Sequence, residues 1–194
     1  EATASFAKLA AGRLSDRSRR RKPWILLGYG LAALSKPLFP LAGGAWPVMG
    51  ARLADRIGKG IRGAPRDAMI ADETPPEIRG AAYGLRQSLD TVGALAAPLL
   101  AIALMAWLAD IRLVFWIAVI PAALSFLLAL VALHEPSRHA EAKPAALFEG
   151  FRRITPATRR LILVGFIFTL ARFSEGFLIL RGIDVGLSMA FSPL

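Results

Sequence analysis

Two long stretches without a charged residue limit what this chain can fold into. Residues 91–109 and residues 113–133 form uncharged, largely apolar runs of 19 and 21 residues. A helix needs about 20 apolar residues to cross the hydrocarbon core of a bilayer. Only the three residues 110–112 separate the runs, which leaves room for a tight turn and nothing more. The pattern predicts two membrane-spanning helices, and therefore an all-α membrane protein built as a polytopic helical bundle.

Weaker apolar stretches extend this bundle. Residues 23–43 are apolar apart from Lys36, for which we predict an outward-pointing side chain, and residues 161–180 are apolar apart from Arg172 and Glu175. Residues 1–12 resemble the last turns of a helix, with Lys8 expected at the membrane interface. The chain is therefore expected to be a fragment that begins inside a helix.

Composition excludes several other classes of protein. The net charge is +10, which in a soluble domain would suggest nucleic-acid binding, but the mean hydropathy of +0.50 does not fit a soluble domain. The basic residues also fall in loops and in one helical stripe, so no nucleic-acid partner is expected. With no cysteine and two histidines, the chain predicts no metal site and no cofactor. A G-x-G-x-x-A pattern at residues 28–33 lacks the alternating strands of a dinucleotide-binding enzyme, and we predict no enzyme activity.

Loop charges predict the orientation in the membrane. Twelve of the 24 basic residues lie in residues 13–22 and 134–160, and basic loops face the cytoplasm. Residues 43–46 and 109–112 would then lie outside. The expected location is the cell membrane, as in a bacterial inner membrane, with loops 13–22, 72–79 and 134–158 in the cytoplasm.

This topology requires one more span between residues 46 and 79, where hydropathy shows none. Seven charged residues from Arg52 to Asp67 fall within an arc of roughly 140° on a helical wheel. Such a helix could lie flat on the membrane, or it could span the bilayer with its charges on a water-filled cavity. Loop parity favours the spanning helix. The predicted solute pathway on it comprises Arg52, Asp55, Arg56, Lys59, Arg62 and Arg66.

The neighbouring predicted helices also contain charged residues. Arg86 and Asp90 are four residues apart, and form either a structural pair or part of a substrate or proton site. Gly93 and Ala97 make a small-xxx-small step suited to close helix packing. Arg172 and Glu175 lie one turn apart and are predicted to face the cavity.

Short motifs in a fixed order resemble those of the major facilitator superfamily. Residues 12–22, GRLSDRSRRRK, are similar to the family motif between helices two and three, with Arg19 at the position of its second glycine. Residues 46–52 resemble the fourth-helix motif that ends in a membrane-embedded arginine. Residues 71–80 resemble the join between helices four and five, and residues 93–98 resemble a degraded fifth-helix motif.

The resemblance implies a partial fold of that family. Residues 1–133 would be the N-terminal half without its first helix, residues 134–158 the cytoplasmic loop between halves, and residues 159–194 the start of the C-terminal half. It also implies a gate on the cytoplasmic side, in which Gly12 allows close packing, Asp16 faces a helix N-terminus and Arg20 pairs with Asp72. The gating residues are Gly12, Asp16, Arg17, Arg20 and Asp72.

The expected function is secondary active transport of a small solute by alternating access. The basic stripe favours an anionic solute, and Asp55, Asp90 and Glu175 are candidate proton carriers. The expected partners are therefore the solute, protons and the lipid bilayer. Two alternatives remain: a membrane-embedded enzyme or flippase acting on an anionic lipid, and a non-transporting sensor on the same fold.

Overall fold

A computed structural model describes residues 2–135, 155–170, 181 and 184–186. The predicted all-α class is confirmed, since the described residues form helices, turns and short connections without a strand. In chain order the helices are α1 (Ala2–Ser18), α2 (Lys22–Ser35), α3 (Leu38–Leu41), α4 (Ala45–Glu73), the 3-10 helix Pro76–Ile78, α5 (Arg79–Leu108), α6 (Ile111–Ala132) and α7 (Pro156–Leu170).

The turn between α1 and α2 is shorter than predicted. Residues 13–18 continue α1 instead of forming a loop, because arginine is a good helix former and nothing in this segment breaks the helix. Arg19 then turns the chain in the left-handed region, with φ 54°. The hydroxyl of Ser18 donates to the carbonyl of Arg20 at 3.4 Å and accepts from the indole N–H of Trp24 at 3.1 Å. These bonds hold the turn between two long helices.

The span predicted over residues 23–43 is one membrane-length segment with a break in it. Helix α2 ends at Ser35, and α3 begins at Leu38 after a turn at Lys36 and Pro37. Pro37 has no N–H to donate to the carbonyl of Ala33, which accepts from the N–H of Lys36 at 3.3 Å instead. Together residues 22–41 are long and apolar enough to cross a membrane.

The charged segment forms one continuous helix, which confirms the predicted amphipathic α4. It runs antiparallel to α2, since a Cβ at Gly28 would meet Arg62 and a Cβ at Gly58 would meet Ala32. It runs parallel to α1, since a Cβ at Gly60 would lie 2.4 Å from the carbonyl oxygen of Ala4. Glycine therefore lets three helix backbones approach closely. Helices α1, α2 and α4 form the best-packed part of the first unit, with Ile25 and Ala51 almost fully buried.

Helices α5 and α6 form the hairpin that the uncharged runs predict. Ala109 has φ 51°, and the carboxylate of Asp110 accepts a hydrogen bond from the N–H of Arg112 at 2.8 Å, which caps α6. Residues 76–108 and α6 are each apolar and long enough to cross a membrane. Their large apolar side chains are mostly exposed, as lipid-facing helices require. No atom lies within 4 Å of a Cβ built on Gly93, so the predicted close packing there is absent from the described structure.

The chain divides into two units, Glu1–Ala142 and Lys143–Leu194. The second unit contains α7, a 15-residue helix that begins at Pro156. The division falls within the predicted inter-half loop of residues 134–158. Arg172 and Glu175, the two predicted pathway residues of this unit, lie outside the described residues.

Candidate functional site

A groove of about 660 Å³ lies between α1, α4 and α5. Its lining contains five of the ten predicted pathway residues, namely Lys59, Arg62, Arg66, Arg86 and Asp90. The rest of the lining consists of Lys8, Asp67, Gln87 and small residues, including Ala4, Gly60, Gly63, Thr91 and Ala94. Three other predicted residues, Arg52, Asp55 and Arg56, do not contribute to the lining. Only the second half of the α4 stripe therefore faces the groove.

Asp67 lies at the centre of the charged cluster, although the sequence prediction did not select it as a site residue. One carboxylate oxygen accepts from the ammonium of Lys8 at 3.2 Å. The other lies 3.5 Å from the guanidinium of Arg86 and 3.9 Å from that of Arg66. The hydroxyl of Tyr83 donates to the backbone carbonyl of Asp67 at 2.8 Å. Asp67 thus connects all three helices of the groove.

The predicted pair of Arg86 and Asp90 is present, with a nitrogen–oxygen distance of 2.7 Å. The same carboxylate oxygen lies 3.6 Å from Arg66 of α4, so the pair also joins two helices. The Nε groups of Arg66 and Arg86 are buried and make no hydrogen bond in the described structure. A buried N–H without an acceptor costs free energy, and it marks a place where an acceptor on a ligand would be stabilised.

Arg62 is positioned from the opposite side, by α2. Its guanidinium lies over the ring of Tyr29, 4.4 Å from the centroid. A Cβ at Gly28 would lie 2.6 Å from the Cβ of Arg62, so the missing side chain is what lets the two helices meet here. Cation–π contact of this kind fixes the plane of a guanidinium while leaving its N–H edge available.

Asp55 forms a separate ion pair outside the groove. Its carboxylate accepts from the ammonium of Lys36 at 2.9 Å, and both side chains are only a quarter to a third exposed. The prediction that Lys36 points outward is therefore wrong, because Lys36 follows Gly28 and Ala32 at four-residue spacing, on the face that packs against α4. The ammonium also lies 5.7 Å from the ring centroid of Phe39.

A second charged cluster joins the helix ends near the α1–α2 turn. The guanidinium of Arg21 donates to Asp16 at 2.5 Å and to Asp72 at 3.0 Å. The expected partner of Asp72 was Arg20, whose side chain is exposed and makes no ion pair among the described residues. The left-handed turn at Arg19 explains the correction, since it places Arg21 inside, 9% exposed, and Arg20 outside.

The structure also describes the surroundings of the other predicted gating residues, Gly12 and Arg17. A Cβ at Gly12 would lie 3.1 Å from that of Ala64, so α1 and α4 do approach closely there. Arg17 is exposed in the last turn of α1. A further residue, Glu135 after α6, was not predicted: its carboxylate accepts from the backbone N–H groups of Arg21 and Lys22, the latter at 3.0 Å. It caps the N-terminus of α2, where a negative charge is favourable.

Comparison with known proteins assigns the chain to a protein family. Residues 2–194 match the family model described as Major Facilitator Superfamily. The chain is 33% identical over 175 residues to an uncharacterized MFS-type transporter of Methanocaldococcus jannaschii, covering 88% of this chain and 42% of that protein. It is 36% identical over 99 residues to an uncharacterized protein of Mycobacterium tuberculosis, covering 51% of this chain and 24% of that protein. The chain thus spans less than half the length of these relatives.

Proposed function

Because the chain belongs to the major facilitator superfamily, we propose that it forms part of a secondary active transporter that moves a small solute across the membrane by alternating access. The protein is membrane-embedded, and its family points to transport instead of enzyme chemistry. The observation that carries the proposal is the groove between α1, α4 and α5, where charged side chains meet beside α5, a helix long and apolar enough to cross a membrane. Ionisable groups inside a membrane usually line a solute or ion path.

The arrangement of α4 supports a spanning helix instead of one that lies flat. It has 29 residues, which gives a length of about 43 Å at ~1.5 Å per residue. It packs antiparallel against α2, through the contacts of Gly28 with Arg62 and of Lys36 with Asp55. A helix that packs along a membrane-crossing neighbour lies along the same axis and therefore also crosses the bilayer. The charged residues of its second half, from Lys59 to Asp67, then face the groove, where water is available.

Charge in the groove supports an anionic solute. Five cationic and two acidic side chains contribute to its lining. The cations are Lys8, Lys59, Arg62, Arg66 and Arg86, and the acids are Asp67 and Asp90. A net positive cavity raises the local concentration of anions and favours their binding. A volume of about 660 Å³ suits a small organic solute.

The cluster around Arg21 supports a gate on the cytoplasmic side. In the proposed topology, the cytoplasmic loops of a bacterial inner-membrane protein are residues 13–22, 72–79 and 134–158. Asp16, Arg21 and Asp72 then close the cytoplasmic end of the groove. Gly12 permits the close packing of α1 on α4 there. Arg17 and Arg20, both exposed, remain available to the second half of the protein. Breaking these contacts would open the groove to the cytoplasm.

Proton coupling is best supported at Asp90. Its carboxylate lies in the groove, 46% exposed and shared by two arginines. Asp55 lies outside the groove and is neutralised by Lys36. Glu175 remains a candidate outside the described residues. A solute anion that binds Arg66 and Arg86 would release Asp90 from its ion pairs, and the carboxylate of Asp90 would then be free to bind a proton.

The test is solute counterflow by the full-length protein in liposomes. Arg66→Gln removes a cation that contacts both groove acids and should lower counterflow of the transported solute at least about tenfold. Arg13→Gln, on an exposed position of α1, is the matched control and should leave it unchanged. Folded, monodisperse full-length protein with no flux of any anion, cation or neutral solute would contradict the proposal.

A further inference from the structure

The cations of the groove fall into two kinds. Lys8, Arg66 and Arg86 are committed to carboxylates, with nitrogen–oxygen distances of 3.2 Å from Lys8 to Asp67 and 2.7 Å from Arg86 to Asp90. Lys59 and Arg62 make no ion pair with any carboxylate in the part of the chain that the structure describes. Two of the three uncompensated positive charges of the groove therefore lie at these two residues.

Arg62 is also held in place before any ligand arrives. The ring of Tyr29 supports its guanidinium at 4.4 Å, and the close contact of α4 with Gly28 fixes the backbone below it. A guanidinium that is already oriented loses less conformational entropy when it binds a planar anion. Its paired N–H groups match the two oxygens of a carboxylate or phosphate.

Lys59 lies three residues before Arg62 on α4, and both contribute to the same groove. Residues three apart on a helix are neighbours on one face. A lysine ammonium adds a compact charge without a fixed geometry, so it strengthens the attraction while Arg62 sets the orientation. The pair thus combines one orienting group and one mobile charge.

We propose that Arg62, oriented by Tyr29 and assisted by Lys59, is the element that binds the oxyanion group of the solute, a carboxylate or a phosphate on a soluble molecule. This rests on the proposed transport function and narrows it to one subsite. The cluster around Asp67 and Asp90 has a different role. Arg66 and Arg86 are paired with these carboxylates before the solute arrives, so the anion binds first at Arg62, and only the bound anion draws the arginines away from Asp90. Tyr29 acts as a positioning residue through Arg62.

The experiment measures thermal stabilisation of the full-length protein in detergent at constant ionic strength. The probes are inorganic phosphate, acetate and methylammonium. A ligand that binds the native state raises the melting temperature, and the shift grows with the ratio of ligand concentration to Kd. We expect phosphate or acetate to raise it and methylammonium to leave it unchanged.

Substitutions then locate the effect. Arg62→Gln should weaken binding of the anion by about 10- to 100-fold, as the loss of a charge-assisted hydrogen bond predicts. Tyr29→Leu should weaken it by a smaller factor, about 3- to 10-fold, and Tyr29→Phe, which keeps the ring, should restore it. Arg62→Lys guards against a folding defect, since it keeps the charge and should bind more weakly than the native protein but more tightly than Arg62→Gln. Arg13→Gln is the control and should bind like the native protein.

The outcomes separate this inference from the transport proposal. An unchanged anion response in folded Arg62→Gln, or equal stabilisation by methylammonium, would overturn the anion subsite while leaving transport intact. A response to added phosphatidylglycerol without one to soluble phosphate or acetate would overturn the assignment to a soluble solute. Anion binding at Arg62 without flux would leave the subsite standing and overturn transport.

Discussion

Lys36, directly after α2, and Asp55 of α4 form an ion pair of 2.9 Å where the two helices pack against each other. The pair is only part-buried, and the Lys36 ammonium lies near the ring of Phe39, which stacks on Phe115 of α6 with ring centroids 5.8 Å apart. Three helices therefore meet around one pair of charges. Neither residue lines the groove, so the pair is expected to serve stability instead of solute binding.

Removing one member of this pair should cost more than removing both. Lys36→Met leaves Asp55 without its counter-charge and should destabilise the protein by about 1–3 kcal/mol, less than for a fully buried pair because water reaches the site. The double variant Lys36→Met, Asp55→Leu should recover most of that loss. Thermal unfolding in detergent measures both, and additive losses would show that the residues are not coupled.

Replacing Arg19 by glycine should stabilise the α1–α2 turn. Arg19 adopts φ 54°, where a side chain costs about 1–2 kcal/mol and glycine does not pay that penalty. Arg19→Gly should therefore raise the melting temperature. Arg17→Gly, inside α1, is the matched control and should lower it, because glycine weakens a helix interior by about 1 kcal/mol. A drop in both variants would contradict the role of the left-handed turn.

Gly60 should be intolerant of any side chain. A Cβ there would lie 2.4 Å from the carbonyl oxygen of Ala4 and 2.6 Å from the Cβ of Ala7, and neither atom belongs to a flexible side chain. Gly60→Ala should separate α1 from α4 and destabilise the protein by about 1–3 kcal/mol. Gly50→Ala, on the same helix with no atom within 4 Å, should be neutral or stabilising. Chemical or thermal unfolding distinguishes the two.

Arg21 should hold the cytoplasmic end closed, and Arg20 should not. Arg21→Gln removes the link between Asp16 and Asp72, so the groove should open more often to that side. The measurement is the labelling rate of Ala94→Cys, in a cysteine-free full-length background, by a membrane-impermeant maleimide in inside-out vesicles. The rate should rise with Arg21→Gln and stay unchanged with Arg20→Gln. Equal rates in both variants would argue against a latch at Arg21.

Asp90 and Asp55 should differ in their effect on coupling. Asp90→Asn should abolish solute accumulation driven by a proton gradient while preserving counterflow, because counterflow needs no net proton movement. Asp55→Asn should preserve accumulation in the fraction of protein that remains folded. Unchanged accumulation in Asp90→Asn would remove Asp90 from the coupling mechanism.

Sequence alone predicted features that depend on local periodicity. The α5–α6 hairpin, the amphipathic α4 and the pair of Arg86 with Asp90 follow from apolar runs and from spacings within one helix. Features that depend on the register between helices were missed. Lys8 was expected at the interface, yet it reaches Asp67, 59 positions away, because α1 runs parallel to α4. Spacing in one helix carries no information on that register.

The choice between Arg20 and Arg21 shows a different limit. Both lie in a run of basic residues within the predicted loop of residues 13–22, and composition does not distinguish them. The side chain that points inward is decided by the backbone conformation of Arg19. A glycine at that position would have indicated a left-handed turn, whereas an arginine does not.

The two sides of the groove differ in how they are joined. Helix α4 meets α1 through backbone and methyl groups at Gly60, but it meets α5 through the ends of long side chains such as Arg66, Arg86 and Tyr83. Long side chains can exchange rotamers and partners over several ångströms, whereas touching backbones cannot separate without loss of packing. The width of the groove is thus adjustable on the α5 side alone. In the transporter proposed above, one fixed wall would hold solutes of different length, and selectivity for charge would be separate from selectivity for size.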